Sequence, residues 1–168
     1  MRYKYKCDNE IIEVWMWDNE FHNKVEVKDR KTSKFYERTI REDENGKFFT
    51  WNKHKIHLHD WVRVSLEELK KKIEHGEWVT SDDLCQAILT DGIDNARFIV
   101  PLNTVCGDGN KFKDTLCKVE ERCNREVKQN YKLTLVSVEP DNDVESYCDC
   151  YTTDMISLIK SGHIKIVA

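Results

Sequence analysis

Hydrophobic and polar residues alternate along the first third of the chain, with the period of two that is typical of half-buried β-strands. Residues 2–7 show the pattern most clearly, because Tyr3, Tyr5 and Cys7 share one face while basic residues occupy the other. The same alternation recurs over residues 24–28 and 34–41, whereas residues 10–17 have apolar side chains on both faces, which is typical of a central strand. Turn-forming residues separate these segments, so the first third of the chain is predicted to be an antiparallel β-meander.

A β-hairpin is predicted over residues 47–59, around the two-residue loop Asn52-Lys53. Because side chains alternate along a strand, Ile56 is expected to face the core, and His57 and His59 the opposite side. The hairpin joins the strand-rich first third to a part of the chain with a different hydrophobic period.

Beyond the hairpin the period lengthens toward 3.6 residues, which is typical of amphipathic helices. Ser65 and Glu68 form the pattern of a capping box, and Gly76 follows the last turn of this first helix. Two more helices are predicted to begin near Ser81 and Thr153, each closed by a glycine. Strands are predicted over residues 96–102, 132–139, 147–151 and 164–167.

The longest amphipathic helix is predicted to end near residue 128. Its apolar residues recur at spacings of three and four, at Leu116, Val119, Cys123, Val127 and Tyr131. The elements together predict an α+β fold. Residues 1–62 form an antiparallel β-sheet region with a hairpin, and residues 63–168 form a mixed helix/strand lobe with this one long helix. We expect the two regions to pack as one compact unit, since 168 residues suit a single domain or two small lobes.

Three features of the sequence bear on its compartment. No apolar run approaches the roughly 20 residues of a membrane-spanning helix, and residues 1–7 lack the apolar stretch of a secretory signal. The seven cysteines are an odd number without such a signal, which indicates reduced thiols rather than a disulfide framework. We therefore expect a cytoplasmic protein.

Charge is unevenly distributed, although the net charge is only −4. Residues 77–110 contain six acidic residues and one basic residue. Carboxylates repel phosphates, so this segment suits a basic protein surface better than a nucleic acid. The predicted partner-binding residues of the segment are Glu77, Asp82, Asp83, Asp91 and Asp94. The outward His57 and His59, and an uncovered aromatic pair formed by Trp15 and Trp17, complete the predicted contact surface.

Two pairs of residues have spacings that metal sites use. His57-x-His59 places two imidazoles on one strand face, and Cys148-x-Cys150 could supply half of a zinc site. Neither pair has an identified second pair, so no cofactor is favoured, and zinc is the alternative. Cys106 precedes a predicted helix and could be a nucleophile, but the sequence places no histidine beside it.

The chain is rich in Lys, Glu, Asp and Asn, and residues 46–61 read Gly-Lys-Phe-Phe-Thr-Trp-Asn-Lys-His-Lys-Ile-His-Leu-His-Asp-Trp. In these respects it resembles small accessory proteins of bacteriophages and mobile elements, over about residues 36–64. The resemblance implies a non-enzymatic protein that acts by binding, a class that includes anti-CRISPR inhibitors. The predicted function is thus inhibition of a bacterial defence nuclease, such as a CRISPR nuclease, in the host cytoplasm. A metal-dependent or cysteine-based enzyme and a small-ligand sponge are the alternatives.

Overall fold

The computed structural model describes residues 2–16, 23–105, 109, 111–120, 131–139 and 141–168. These residues form antiparallel β-sheets and three α-helices, which confirms the predicted α+β class. The chain divides into two compact units, Met1–Val62 and Arg63–Ala168, which we call unit 1 and unit 2.

Unit 1 contains a four-stranded and a three-stranded antiparallel sheet. The first is a meander in chain order, formed by β1 (Arg2–Cys7), β2 (Glu10–Met16), β3 (Lys24–Lys28) and β4 (Phe35–Thr39). The second is formed by β5 (Arg41–Asp43), β6 (Gly46–Trp51) and β7 (His54–His57). The strand predicted over residues 34–41 is therefore two strands in different sheets, which separate at Ile40.

The β6–β7 hairpin turns at Asn52 and Lys53, as the sequence predicts. Both residues have positive φ, 48° and 67°, as a tight two-residue hairpin turn requires. The second strand ends at His57, two residues earlier than the predicted strand, because Leu58–Asp60 form a 3₁₀ turn. The hydroxyl of Tyr5 donates a hydrogen bond of 2.7 Å to the Leu58 carbonyl, so a buried side chain of β1 stabilises the turn.

Within the described residues, the core of unit 1 is small. Its main cluster has nine buried side chains from strands of both sheets: Tyr5, Cys7, Ile12, Val14, Val25, Val27, Phe49, Trp51 and Ile56. Tyr5 and Phe49 meet edge to face, with ring centroids 5.7 Å apart. A β-unit of about 60 residues buries a limited apolar area, so each of these contacts matters for its stability.

Unit 2 is a five-stranded antiparallel sheet with helices on one side. In spatial order its strands are β11 (Tyr147–Tyr151), β10 (Lys132–Ser137), β9 (Phe112–Glu120), β8 (Arg97–Asn103) and β12 (Lys165–Val167). The helices are α1 (Leu66–Glu74), α2 (Ser81–Asp91) and α3 (Thr152–Lys160). The capping box at Ser65 is confirmed, since its hydroxyl accepts from the Glu68 N–H at 3.2 Å.

Alternate residues of the five strands face the helices. Phe98, Cys117, Leu135, Cys150 and Ile166 are examples, and all are buried with side chains of the three helices in one cluster. We call this side of the sheet the covered face. The intervening residues of the same strands project from the opposite side, which we call the open face.

The long helix predicted through residue 128 is wrong where it can be compared with the structure. Residues 112–120 form β9, paired with β8 on one side and β10 on the other. Cys117 and Val119 are buried on the covered face, while Leu116 lies on the open face and is exposed. The period is thus two rather than 3.6, and pairing on both sides fixes it. Cys123 and Val127 lie outside the described residues.

Candidate binding surfaces and metal ligands

The acidic segment of unit 2 uses most of its predicted contact residues inside the fold. Asp82 is buried, and its carboxylate accepts a 3.0 Å hydrogen bond from the hydroxyl of Tyr131. Asp83 accepts from the Thr80 N–H at 2.8 Å and completes the capping box of α2. Asp91 accepts from the N–H of Leu66, the first residue of α1, at 3.0 Å.

Asp83 and Asp91 supply hydrogen-bond acceptors at the N-termini of α2 and α1. The first N–H groups of a helix have no partner within the helix, and an anionic acceptor there also interacts favourably with the helix dipole. Glu77 and Asp94 are exposed, but Asp82 is not accessible to a partner. The acidic excess of the sequence therefore does not amount to an acidic surface of five carboxylates. The Thr80-x-x-Asp83 spacing is the sequence signal from which this cap could have been predicted.

The predicted tryptophan pair is only half described. Trp15 is half-buried, lies 6.0 Å from the Arg2 guanidinium, and its indole N–H has no partner among the described residues. Trp17 lies outside the described residues. Trp78, between α1 and α2, is the most exposed large hydrophobic residue of the described chain, at 84%.

The predicted histidine pair is tied to a carboxylate. His57 Nε2 lies 3.0 and 3.1 Å from the two carboxylate oxygens of Asp43, and Lys55 Nζ lies 2.9 Å from one of them. The bonds from Lys55 and His57 hold the pKa of Asp43 well below its usual range. His59 lies beside His57, with ring centroids 5.5 Å apart. Among the described residues, neither His57 nor His59 belongs to a group of three donor atoms close enough together to hold a metal ion.

The cysteine pair of unit 2 lies against a core. Cys148 and Cys150 both face the covered side, where Cys150 is buried and Cys148 packs against the same cluster. Burial raises the pKa of the Cys148 thiol, and it raises the pKa values of Cys117 and Cys150 to about 11. A nucleophilic cysteine needs a lowered pKa, so these three thiols are in the opposite kind of environment. Cys106 lies outside the described residues.

Three side chains of types that bind metal ions lie close together in unit 1. Cys7 and Asp8 end β1 and enter its turn, and His54 begins β7 just after the turn at Asn52 and Lys53. Their donor atoms, Cys7 Sγ, an Asp8 carboxylate oxygen and a His54 ring nitrogen, lie within 4.8 Å of one another. His54 Nε2 and Asp8 Oδ1 are 2.8 Å apart. The sequence did not predict this group, because it forms only where turns of two sheets meet.

The open face of unit 2 exposes apolar side chains on neighbouring strands. Tyr147 is 58% exposed and Leu116 is 43% exposed, and Val136 of β10 lies between their strands. Further exposed apolar residues of this face are Phe112, Tyr151 and Val167. Charged residues surround them: Arg97, Lys118, Lys132, Lys165, Asp114, Glu120 and Asp149. The available sequence signal was Tyr147-x-Asp149-x-Tyr151, an alternation in which two of the three outward residues are aromatic.

Among the strands that the structure describes, β11 lies at the edge of this sheet and pairs only with β10. Ser137 donates to the Ser146 carbonyl and Thr152 donates to the Tyr131 carbonyl, so the alternate residues Cys148 and Cys150 also bond toward β10. The main-chain N–H and C=O groups of the intervening Tyr147 and Asp149 consequently point away from the sheet, whereas Tyr151 is the N-cap residue of α3 and its carbonyl belongs to the first turn of that helix. The Asp149 carbonyl accepts a long contact, at 3.6 Å, from the neighbouring Cys148 thiol.

Comparisons with known proteins give no match for the chain, whether with protein families, with curated proteins or with solved structures. Among the helices of the described residues, none has the length and apolar character to span a bilayer. The function is therefore argued from the surfaces and side-chain groups of the structure.

Proposed function

We propose that the protein acts by binding another protein, and that the open face and the β11 edge of unit 2 form the binding surface. The observation that carries the proposal is that Tyr147 and Tyr151 are both exposed on one face of an edge strand, on either side of Asp149, and that the main-chain groups of Tyr147 and Asp149 point outward from this edge. Tyrosine contributes strongly to protein interfaces, since it offers a large rigid contact area with a polar end.

The charges around this surface favour a protein over a nucleic acid. Four basic and three acidic residues surround its apolar side chains, and one of the basic residues, Lys132, is paired with Asp149 at 2.8 Å. Binding to DNA or RNA draws most of its free energy from an excess of basic groups that displace counterions. An apolar centre with charges of both signs at its rim is typical of a protein–protein interface instead.

The exposed edge of β11 indicates which part of a partner protein would bind. A strand with outward N–H and C=O groups can pair with an extended segment of another chain, which adds to the sheet as a further strand. Beside the start of β11 lies a groove of about 610 Å³, lined in part by Val105, Val144 and Tyr147. It offers a place for one side chain of such a segment. We therefore take the bound element to be an extended segment of the partner.

The partner class that the resemblance implies, a bacterial defence nuclease, is the narrower part of the proposal. It is supported by the likeness of about residues 36–64 to phage accessory proteins. The exposed Glu77 and Asp94 could add contacts to a basic nuclease surface. Inhibition would then follow from occupancy of that surface, without any reaction catalysed by this chain.

The main-chain pairing can be tested at a single position. Asp149→Pro removes an N–H that points away from β10, so it blocks strand addition while the β10–β11 ladder is kept. Asp149→Ala is the matched control, since both variants lose the same ion pair with Lys132. We expect the proline variant to lose at least about tenfold in affinity relative to the alanine variant, which corresponds to about 1.4 kcal/mol.

The side-chain contacts are tested with proteins captured from bacterial lysate. Leu116→Thr and Tyr147→Thr keep a strand-forming residue, and Leu158→Ala on α3 is a control on the helical side. A partner lost by the first two variants and retained by the third supports the proposal. A partner that binds all variants alike overturns it. Assay of the captured protein for nuclease activity, with and without this chain, tests the narrower part separately.

A further inference from the structure

Two hairpin turns of unit 1 bring three different metal-binding side chains together. The turn after β1 supplies Cys7 and Asp8, and the turn before β7 supplies His54. Asp8, Asn52 and Lys53 all have positive φ, at 54°, 48° and 67°, so both turns hold uncommon backbone conformations without glycine. The local geometry of each turn places its side chains at the meeting point of the two sheets.

The donor atoms fit the spacing that a tetrahedral zinc ion requires. With zinc–ligand bonds of about 2.0–2.3 Å, donor atoms of a tetrahedral site are about 3.3–3.6 Å apart. The three donor atoms lie within 4.8 Å of one another, and the closest pair, His54 Nε2 and Asp8 Oδ1, is 2.8 Å apart. Small side-chain rotations would bring all three distances to the required range.

The chemistry of the set selects the metal. Thiolate sulfur and imidazole nitrogen are ligands that zinc prefers, whereas calcium and magnesium take oxygen ligands. Sulfur, nitrogen and carboxylate oxygen together are therefore a zinc-type donor set. Zinc binding would release the thiol proton of Cys7 to solvent, and the resulting thiolate and the Asp8 carboxylate would balance the two positive charges of the ion.

We propose that unit 1 binds one zinc ion through Cys7 Sγ, the Asp8 carboxylate and His54 Nε2, with water as a fourth ligand. The Asp8 and His54 side chains are 60% and 51% exposed, so the fourth position faces solvent, while Cys7 holds the ion against the core. The ion would join the four-stranded sheet to the three-stranded sheet.

A metal at this point would serve a unit with few buried side chains. The main core cluster in the described part of unit 1 has nine buried residues, and small domains often depend on a bound metal or a disulfide. An ion that binds the folded unit and not the unfolded chain raises its stability in proportion to the logarithm of the metal concentration. The expected role is therefore structural.

Cobalt titration of chelator-treated protein tests the site directly. We expect one equivalent of Co²⁺ to give tetrahedral visible bands and a thiolate-to-cobalt charge-transfer band in the near ultraviolet, and Zn²⁺ to displace it. His54→Ala should weaken binding at least about 100-fold and Asp8→Asn at least about tenfold. Both positions are exposed, and asparagine tolerates positive φ, so these variants are expected to fold.

Two control variants separate this site from other thiols and imidazoles. His59→Ala removes another exposed histidine of unit 1, and Cys148→Ser removes the most accessible of the described cysteines of unit 2. Both should keep the cobalt spectrum and the affinity for zinc. If the charge-transfer band is missing in the unmodified protein, survives His54→Ala unchanged, or disappears in Cys148→Ser, the proposal is overturned.

Discussion

The two faces of the five-stranded sheet in unit 2 are built from alternate residues of the same strands, yet they have different environments. The covered face meets three helices, and the carboxylates of Asp83 and Asp91 complete the hydrogen bonding at helix N-termini, while Asp82 accepts a hydrogen bond from Tyr131. The open face presents Leu116 and Tyr147 to solvent. The difference shows that charge in a sequence does not by itself indicate a binding surface. Here the acidic residues largely serve folding, and the exposed apolar residues are the better candidates for binding.

The largest difference in the free energy of unfolding is expected between alanine variants of two neighbouring residues of β10. Leu135 is fully buried on the covered face, so Leu135→Ala should lower the free energy of unfolding by about 2–5 kcal/mol through the cavity it leaves. Val136, on the open face and half-buried, should cost less than about 1 kcal/mol when changed to alanine. Urea unfolding measures both variants. Equal losses would mean that the open face is covered as fully as the other.

A second effect of the covered face should appear at alkaline pH. The pKa values of Cys117 and Cys150 are raised by burial from 9.0 to about 11. Between these values the unfolded chain loses the thiol protons while the folded protein keeps them, so stability falls as pH rises from about 9 to 11. We expect a loss of about 1–2 kcal/mol for each thiol.

The control for this pH effect is the double variant Cys117→Ala with Cys150→Ala. Its free energy of unfolding should fall less steeply between pH 9 and 11 than that of the unmodified protein. Lysines and tyrosines titrate in the same range, and they contribute equally to both proteins. Parallel pH curves would show that the two thiols are not protected by burial.

A somewhat smaller loss is expected when the buried carboxylate is removed. Asp82→Ala leaves the Tyr131 hydroxyl without its carboxylate partner and should cost about 1–3 kcal/mol. Asp94→Ala, at an exposed acidic residue of the same segment, should change stability by less than about 0.5 kcal/mol. Thermal and urea unfolding compare the two. If both variants fold equally well, Asp82 does not have the structural role assigned to it.

The smallest effect on stability is expected on the open face. Tyr147→Thr should change the free energy of unfolding by less than about 0.5 kcal/mol, because the tyrosine is exposed and threonine also favours strands. The same variant is expected to lose partner binding. A large destabilisation would instead assign Tyr147 to the core of unit 2 and contradict the contrast between the faces.

Much of the fold could be predicted from local patterns. Alternation and turn residues gave the meander and the Asn52-Lys53 hairpin, and the capping pattern at Ser65 gave the start of α1. These features depend on residues close together in sequence. The helix predicted around Leu116 failed because spacings of three and four coincide by chance with apolar residues on both faces of a strand. Only pairing with β8 and β10 distinguishes the two.

The candidate sites could be predicted far less well than the fold. Asp82 looks like any surface carboxylate until Tyr131 is brought to it across the unit. Cys7, Asp8 and His54 form a group only because the turns of two sheets meet. Exposure of Tyr147 depends on which side of the sheet the helices take. Each of these facts is set by long-range packing, which a single sequence does not display.

The position of β12 has a consequence for the order of events during synthesis. This strand, Lys165–Val167, lies beside β8 at one edge of the sheet, and its Ile166 belongs to the core. As the chain leaves the ribosome, β8 therefore has a vacant neighbour until residues 165–167 appear, and Phe98 and Val100 stay incompletely covered. Unit 1 uses residues that emerge earlier and can fold while the rest is still being made. A nascent chain paused before residue 165 would thus carry one finished unit and one that chaperones still recognise.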